Sequence, residues 1–308
     1  MRYTLLLLAA AGMTGCQPAN QDSAEPEPLA ETPADEAPAA QTVSASDRLD
    51  AVLAAQSDDM QARYQYRNPK ETLEFFGVEP GMTVVEALPG GGWYSKILLP
   101  YLGSEGRLVG AAYELDMYAL FPFASEEFMQ RQSTWTTDWP VRAEDWRGAD
   151  GADVLATRFG SMPADVDGEV DVVLMIRALH NLARFQNSGE GPYLDTALND
   201  AFRVLRPGGV LGVVQHHARD DMPDDWAAGG AGYLKTQAVI DAATAAGFEL
   251  VGESEVNANP SDQPTTEDIV WRLLPGLRTS ENDAELRAEL EQIGESNRMT
   301  LKFEKPAG

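Results

Sequence analysis

Only three histidines occur in the 308 residues, and each follows an apolar, β-branched run: His180 comes after Val170 to Ile176, and His216-His217 close Val210 to Gln215. Imidazole titrates nearest neutrality, so one held at a strand end can take a proton from a hydroxyl or amine. Asn181, beside His180, adds an amide that can orient the same molecule. Side chains alternate across a strand, so His216 and His217 point to opposite sides and one of them enters a shared pocket. The same three residues also admit a hydrogen-bonded structural role, or a metal site completed by Asp220 or Asp221; no metal is assigned to them. A second motif lies upstream, where Gly90-Gly91-Gly92 follows Thr83-Val84-Val85-Glu86-Ala87-Leu88. A glycine turn between strand and helix lets backbone approach a ligand and leaves free N–H groups for polar or anionic atoms. Gly92-Trp93-Tyr94-Ser95 lacks the lysine of a nucleoside triphosphate loop, and Ser95 stands where a dinucleotide fingerprint needs glycine or alanine.

Positioning these residues requires strands that end on a common edge. Asn68-Pro69-Lys70-Glu71 predicts an N-cap, an N1 proline and a capping-box glutamate for a helix reaching Phe76, stopped by Gly77 and Pro80-Gly81. An earlier helix carries Leu49, Val52 and Leu53 behind a cap at Ser46. Strands are predicted at 83–88, 107–112, 154–157, 170–176, 210–215, 248–256 and 298–304. Helices are predicted near 94–102, 125–132, 193–205, 235–246 and 283–293. Arg206-Pro207-Gly208-Gly209 separates one helix from its strand. Alternation of this kind implies an open, doubly wound α/β sheet with helices on both faces and ligands beyond the carboxyl ends of the strands. The acidic run Asp220 to Trp226, ahead of Gly229-Gly230, reads as a lid or as solvated loop.

The chain carries 23 Lys and Arg against 49 Asp and Glu, a formal charge of -26, which repels nucleic acid at long range. The single cysteine, Cys16, excludes an internal disulfide. Residues 1–16 order a positive charge, a short apolar run and Met13-Thr14-Gly15-Cys16, which resembles a bacterial lipoprotein signal with Cys16 as the lipidated residue. Gln17 after that cysteine implies, by the same resemblance, an outer-membrane lipoprotein facing the periplasm. Residues 17–46 contain no Lys or Arg between Gln17 and Ser46 and are broken by Pro26, Pro28, Pro33 and Pro38, as expected of an extended tether to a domain at 47–308.

Glu86 followed by Gly90 and Gly92 resembles the class I S-adenosylmethionine-dependent methyltransferases. The segments Gly77 to Glu86, Gly168 to Val173 and Val204 to Leu211 are similar in order and spacing to that family's first, fourth and fifth strands. Lys302 to Pro306 and the Pro89-Gly90-Gly91-Gly92 loop resemble a poorly characterised bacterial branch. The resemblance implies a seven-stranded, mostly parallel Rossmann-like sheet with an antiparallel C-terminal strand. It implies S-adenosylmethionine as cofactor, held by Glu86, Pro89, Gly90, Gly91, Gly92 and Glu114, and His180, Asn181 and His216 on the side of a small-molecule acceptor. The chain also departs from the family pattern. Leu88 replaces the first glycine, Ala112 stands where a carboxylate normally meets the ribose, with Glu114 two residues later, and Arg158-Phe159-Gly160-Ser161 follows the third strand without an acid. The expected activity is methyl transfer to a small molecule, with membrane contact only through Cys16. An envelope-tethered binding protein that has lost transfer is the alternative, and a metal-dependent hydrolase is a third.

Overall fold

The computed structural model describes residues 43–308. The signal and lipidation reading at 1–16, and the tether reading up to residue 42, lie outside the described residues. Seven strands, β1 (Thr83–Ala87), β2 (Arg107–Ala112), β3 (Asp153–Arg158), β4 (Val170–Ile176), β5 (Leu205–His216), β6 (Glu249–Ser254) and β7 (Arg298–Glu304), form one sheet in the order β3-β2-β1-β4-β5-β7-β6. Neighbouring strands are parallel except β7, which runs antiparallel to both β5 and β6. The helices up to and including the first crossover are α1 (Ala45–Ala54), α2 (Asp58–Gln61), α3 (Tyr64–Arg67), α4 (Pro69–Phe76) and α5 (Ser95–Leu102). They are followed by α6 (Leu115–Ala119), α7 (Glu126–Ser133), α8 (Trp135–Arg147), α9 (Leu179–Asn187), α10 (Tyr193–Val204), α11 (Thr236–Ala245) and α12 (Ala284–Ile293). This is the expected doubly wound, Rossmann-like α/β fold, with β7 as its antiparallel strand.

Residue alternation along the strands builds two cores. Val84, Leu108 and Val172 pack with α1, α4, α5 and α8 on one face. Val85, Val109 and Val173 pack with α9, α10 and α11 on the other. Burial on both faces explains why the central strands read as continuous apolar runs. Strand order reverses between β1 and β4, and a crevice opens there beyond their carboxyl ends.

Some local expectations are corrected. Helix α1 is capped by Ser44, whose Oγ accepts the Asp47 N–H at 3.1 Å, while Ser46 donates to Glu74 at 2.8 Å. Asn68 has φ +38 and makes no capping bond; its amide donates to the Val256 carbonyl at 2.6 Å. The stretch 206–209 belongs to β5, with pairing broken between Val170↔Leu205 and Val172↔Val210, so the expected turn is a bulge. Helices α8 and α9 were not anticipated, because Pro140 and Trp135, Trp139 and Trp146 obscure the pattern of α8. Among the described residues no helix is long and apolar enough to cross a membrane.

Candidate functional site

Strand β1 ends against a turn that is strained before it reaches the glycines. Leu88 has φ +50, a left-handed conformation that costs an ordinary side chain about 1 kcal/mol. Its N–H donates to the Ala111 carbonyl at 2.8 Å, and Gly92 N–H closes the turn on the Pro89 carbonyl at 2.7 Å. The three glycines divide their roles. Gly90, with φ +55, lines the cavity with Leu88 and Pro89. A Cβ on Gly91 would meet nothing within 4 Å, whereas one on Gly92 would fall 2.3 Å from the Trp146 ring, so Gly92 serves helix packing.

Glu86 is buried behind this turn, outside the cavity lining, and its Oε2 accepts the Ser95 hydroxyl at 2.6 Å. Burial pushes its carboxyl up to about 7, and the Ser95 bond only partly opposes that. Ala112 lines the cavity, but Glu114 does not. Glu114 lies against the turn at Gly160, where an added Cβ would come within 2.6 Å of its Oε1. Its carboxyl is raised by burial and by Asp116 and Asp200.

The cavity has a volume of about 760 Å³, within the range of small-molecule sites. Tyr118, Phe121, Phe123, Phe128, Trp135 and Trp139 make an aromatic wall. Arg177, His180, Asn181 and His216 present polar groups from the ends of β4 and β5. Residues 271, 273–276 and 295–296 close the remaining side.

His180 sits in the first turn of α9, its Nδ1 3.5 Å from Gln215 Oε1. His216 Nδ1 lies 2.6 Å from Ser296 Oγ, and the two imidazole centroids are 5.4 Å apart. Burial lowers His180 to about 4 against the opposing Gln215 contact, with Arg177 and Arg184 pushing the same way as burial. Burial likewise holds His216 well below the usual imidazole range, helped by His180 and Arg177. Both rings are therefore neutral at neutral pH. Asn181 donates to the Tyr113 hydroxyl at 3.3 Å, and its Oδ1 is buried without a partner among the described residues. His217 lies outside the lining, with Nδ1 3.4 Å from Asn297 Nδ2. Among the described residues no group of three or more His, Cys, Asp or Glu converges as a metal site. In the Asp220–Trp226 run the four aspartates are exposed, as in a solvated loop, and the run is held down by buried Met222 and by Trp226, which stacks on Tyr233 at 5.1 Å.

Sequence reasoning did not single out Arg177 or Glu295. Glu295 is 2% exposed and meets Arg63, Arg67 Nε at 3.1 Å and Arg298 at 3.4 Å, with Arg177 Nη1 at 3.9 Å. Burial alone would raise its carboxyl, but the four guanidiniums outweigh burial and hold it below the ordinary value. Arg67 also stacks on Trp93, 4.5 Å from the ring centre, which ties this cluster to the glycine turn. No spacing rule connects positions 63, 67, 177, 295 and 298. The only local signal was a charged residue immediately after a buried strand.

No family model and no curated protein sequence matches the chain. Similar solved structures include the cyclase SpnF, with 17% identity, a TM-score of 0.47 and coverage of 79% of this chain and 81% of that one. A SAM dependent methyltransferase from Aquifex aeolicus shows 19% identity, a TM-score of 0.42 and coverage of 68% and 93%. A geranyl diphosphate methyltransferase in complex with SAM shows 15% identity, a TM-score of 0.45 and coverage of 83% and 94%.

Proposed function

We propose that this chain transfers a methyl group from S-adenosylmethionine to a small molecule bound in the cavity at the β1/β4 switch point. The observation that carries the reading is that the Pro89–Gly90 turn and the cluster of His180, Asn181 and His216 line one cavity. The residues fit the cofactor in part. Gly90 forms a cradle on the cavity wall, where an added Cβ would stand 3.7 Å from Leu88 O, whereas Gly91 lies outside the lining and faces open space. Gln132 Oε1 is buried without a partner among the described residues and belongs to the lining, where it supplies a free acceptor. When bound, S-adenosylmethionine supplies an electrophilic methyl carbon.

The chain's own residues hold and shield the acceptor. With its conjugate acid near 4, His180 is a ready hydrogen-bond acceptor but a weak base, so its main work is to orient an O–H or N–H. The aromatic wall keeps water from the reacting groups. Titration calorimetry of the whole chain with S-adenosylmethionine and S-adenosylhomocysteine tests the reading. Micromolar binding is expected, weakened at least about tenfold in Gly90→Ala, whose Cβ enters the cradle. A folded chain that binds neither would overturn it.

A second reading, a tethered binding protein without transfer, is favoured by Ala112 at the ribose position and by Glu114 turned toward Gly160. The two separate on His180→Ala. Under methyl transfer, turnover falls while S-adenosylhomocysteine affinity stays; under the binding reading, the wild-type chain has no turnover to lose. Export as a lipoprotein anchored at Cys16 remains our proposal for localisation, and intact-mass analysis for an acylated cysteine terminus tests it.

A further inference from the structure

Arg177 is the first residue after β4, and its placement is enforced by backbone. It has φ +59, and its N–H donates to the Val214 carbonyl at 2.6 Å. A non-glycine residue held in the left-handed region where the surrounding structure fixes it is a common mark of a working site. What is fixed here is a guanidinium that forms no hydrogen bond among the described residues. Its Nε is buried without a partner, its nearest carboxylate oxygen is 3.9 Å away, and its side chain is 26% exposed into the cavity.

A guanidinium has five N–H donors, and buried donors are seldom left unused. Glu295 does not satisfy them, because Arg63, Arg67 and Arg298 already occupy that carboxylate. Four guanidiniums sharing one carboxylate leave a local surplus of positive charge inside a chain whose formal charge is -26. A second anion at Arg177 would supply the missing charge and accept the unused donors. Arg131, Arg142 and Asp138 also line the cavity, but Arg142 donates to the Gly90 carbonyl at 3.4 Å, on the side of the glycine turn. Trp271, Phe121 and the imidazoles of His180 and His216 line the same cavity as Arg177.

We infer that Arg177 receives the carboxylate of the methyl acceptor, and that the acceptor is an aromatic or apolar carboxylic acid whose hydroxyl or amine faces His180 and His216. The acceptor assignment rests on the methyl-transfer reading, and two titrations keep them apart. Hydroxyphenylacetic acid and its methyl ester are titrated into the whole chain, into Arg177→Met and into Arg177→Lys, each with and without saturating S-adenosylhomocysteine. S-adenosylhomocysteine is then titrated into the same three proteins, with thermal unfolding as a check on folding.

Charge-assisted hydrogen bonds predict that the wild-type chain binds the acid at least about tenfold more tightly than the ester. Arg177→Met should bring that ratio to near unity, Arg177→Lys should restore part of it, and S-adenosylhomocysteine affinity should be the same in all three. Equal binding of acid and ester by the wild-type chain overturns the inference even if Arg177→Met does not fold. A ratio that survives in folded Arg177→Met also overturns it. Competition between the acid and S-adenosylhomocysteine, with loss of the latter's affinity in Arg177→Met, overturns it in another way by giving the guanidinium to the cofactor's carboxylate. If the acid is preferred through Arg177 while S-adenosylhomocysteine binds none of the proteins, the carboxylate site stands and the methyl-transfer reading falls.

Discussion

Two carboxylates are buried at the same sheet edge, and their surroundings drive them in opposite directions. Glu86, behind the glycine turn, has one hydroxyl partner and is pushed up to about 7 by burial. Glu295, behind the β4/β5 end, meets four guanidiniums and is held below its ordinary value despite burial. The difference separates two kinds of ligand surface. At the turn, the cavity is lined by Leu88, Pro89 and Gly90, Glu86 is sequestered from it, and the charge that reaches it is Arg142, which donates to the Gly90 carbonyl at 3.4 Å. At the opposite end, the lining carries charges and imidazoles whose hydrogen bonding is incomplete, so recognition there depends on the chemistry of the occupant.

The most damaging way to break this contrast is Glu295→Gln. Removing the carboxylate leaves four guanidiniums without their shared counter-charge, and a loss of about 3–5 kcal/mol is expected, read by urea unfolding at neutral pH. An effect below about 1 kcal/mol would mean that the cluster is solvated rather than buried. For Glu295 the folded form favours ionisation, so its contribution is present above the unfolded pKa and is lost as pH falls through the folded one.

Glu86→Gln should do the reverse. The folded state raises Glu86 from 4.5 to about 7, so the wild-type chain binds a proton more tightly when folded and loses stability as pH rises across that window. Relative to wild type, the variant should gain up to about 3 kcal/mol between acid and mildly alkaline conditions. A stability difference that does not change with pH would place Glu86 in contact with water.

The imidazoles sharpen the comparison from the other end. Because His180 falls to about 4 on folding, the stability its neutral form contributes is full above the ordinary histidine value and is lost as pH drops through the folded one. NMR of its ring carbons should show no titration between about pH 5.5 and 8, and a midpoint near 6.5 would contradict the burial seen here. Leu88→Gly should have the smallest effect. Relief of about 1 kcal/mol of left-handed strain opposes the loss of a half-buried leucine, so a net shift under about 1 kcal/mol is expected in thermal unfolding.

Much of the fold was readable from local pattern. β2 and β4 lie at their predicted boundaries, and β1 and α5 within a residue of theirs, because each is a short apolar run between glycine or proline breaks. Local pattern failed where an element is shaped by its neighbours. Helix α8 shows no clean apolar stripe because its tryptophans serve both the core and the cavity wall, and the 206–209 stretch becomes a bulge only because β4 is there to pair with. The placement of His180, Asn181, His216 and the glycine turn on one edge followed from strand ends. The Arg177–Glu295 cluster could not, since it joins segments more than a hundred residues apart.

By itself the sequence determined where strands such as β1, β2 and β4 begin and end, because β-branched runs and glycine or proline breaks act over a few bonds. It thereby placed the glycine turn and the histidines at the edge where a parallel sheet binds ligands. Only the tertiary structure decided which of those groups face the cavity and in what ionisation state. It turned Glu114 toward Gly160, put Ser95 on Glu86, made both imidazoles neutral and gave one carboxylate to four arginines. Burial and charge–charge distance set those properties, and both depend on contacts across the chain rather than along it.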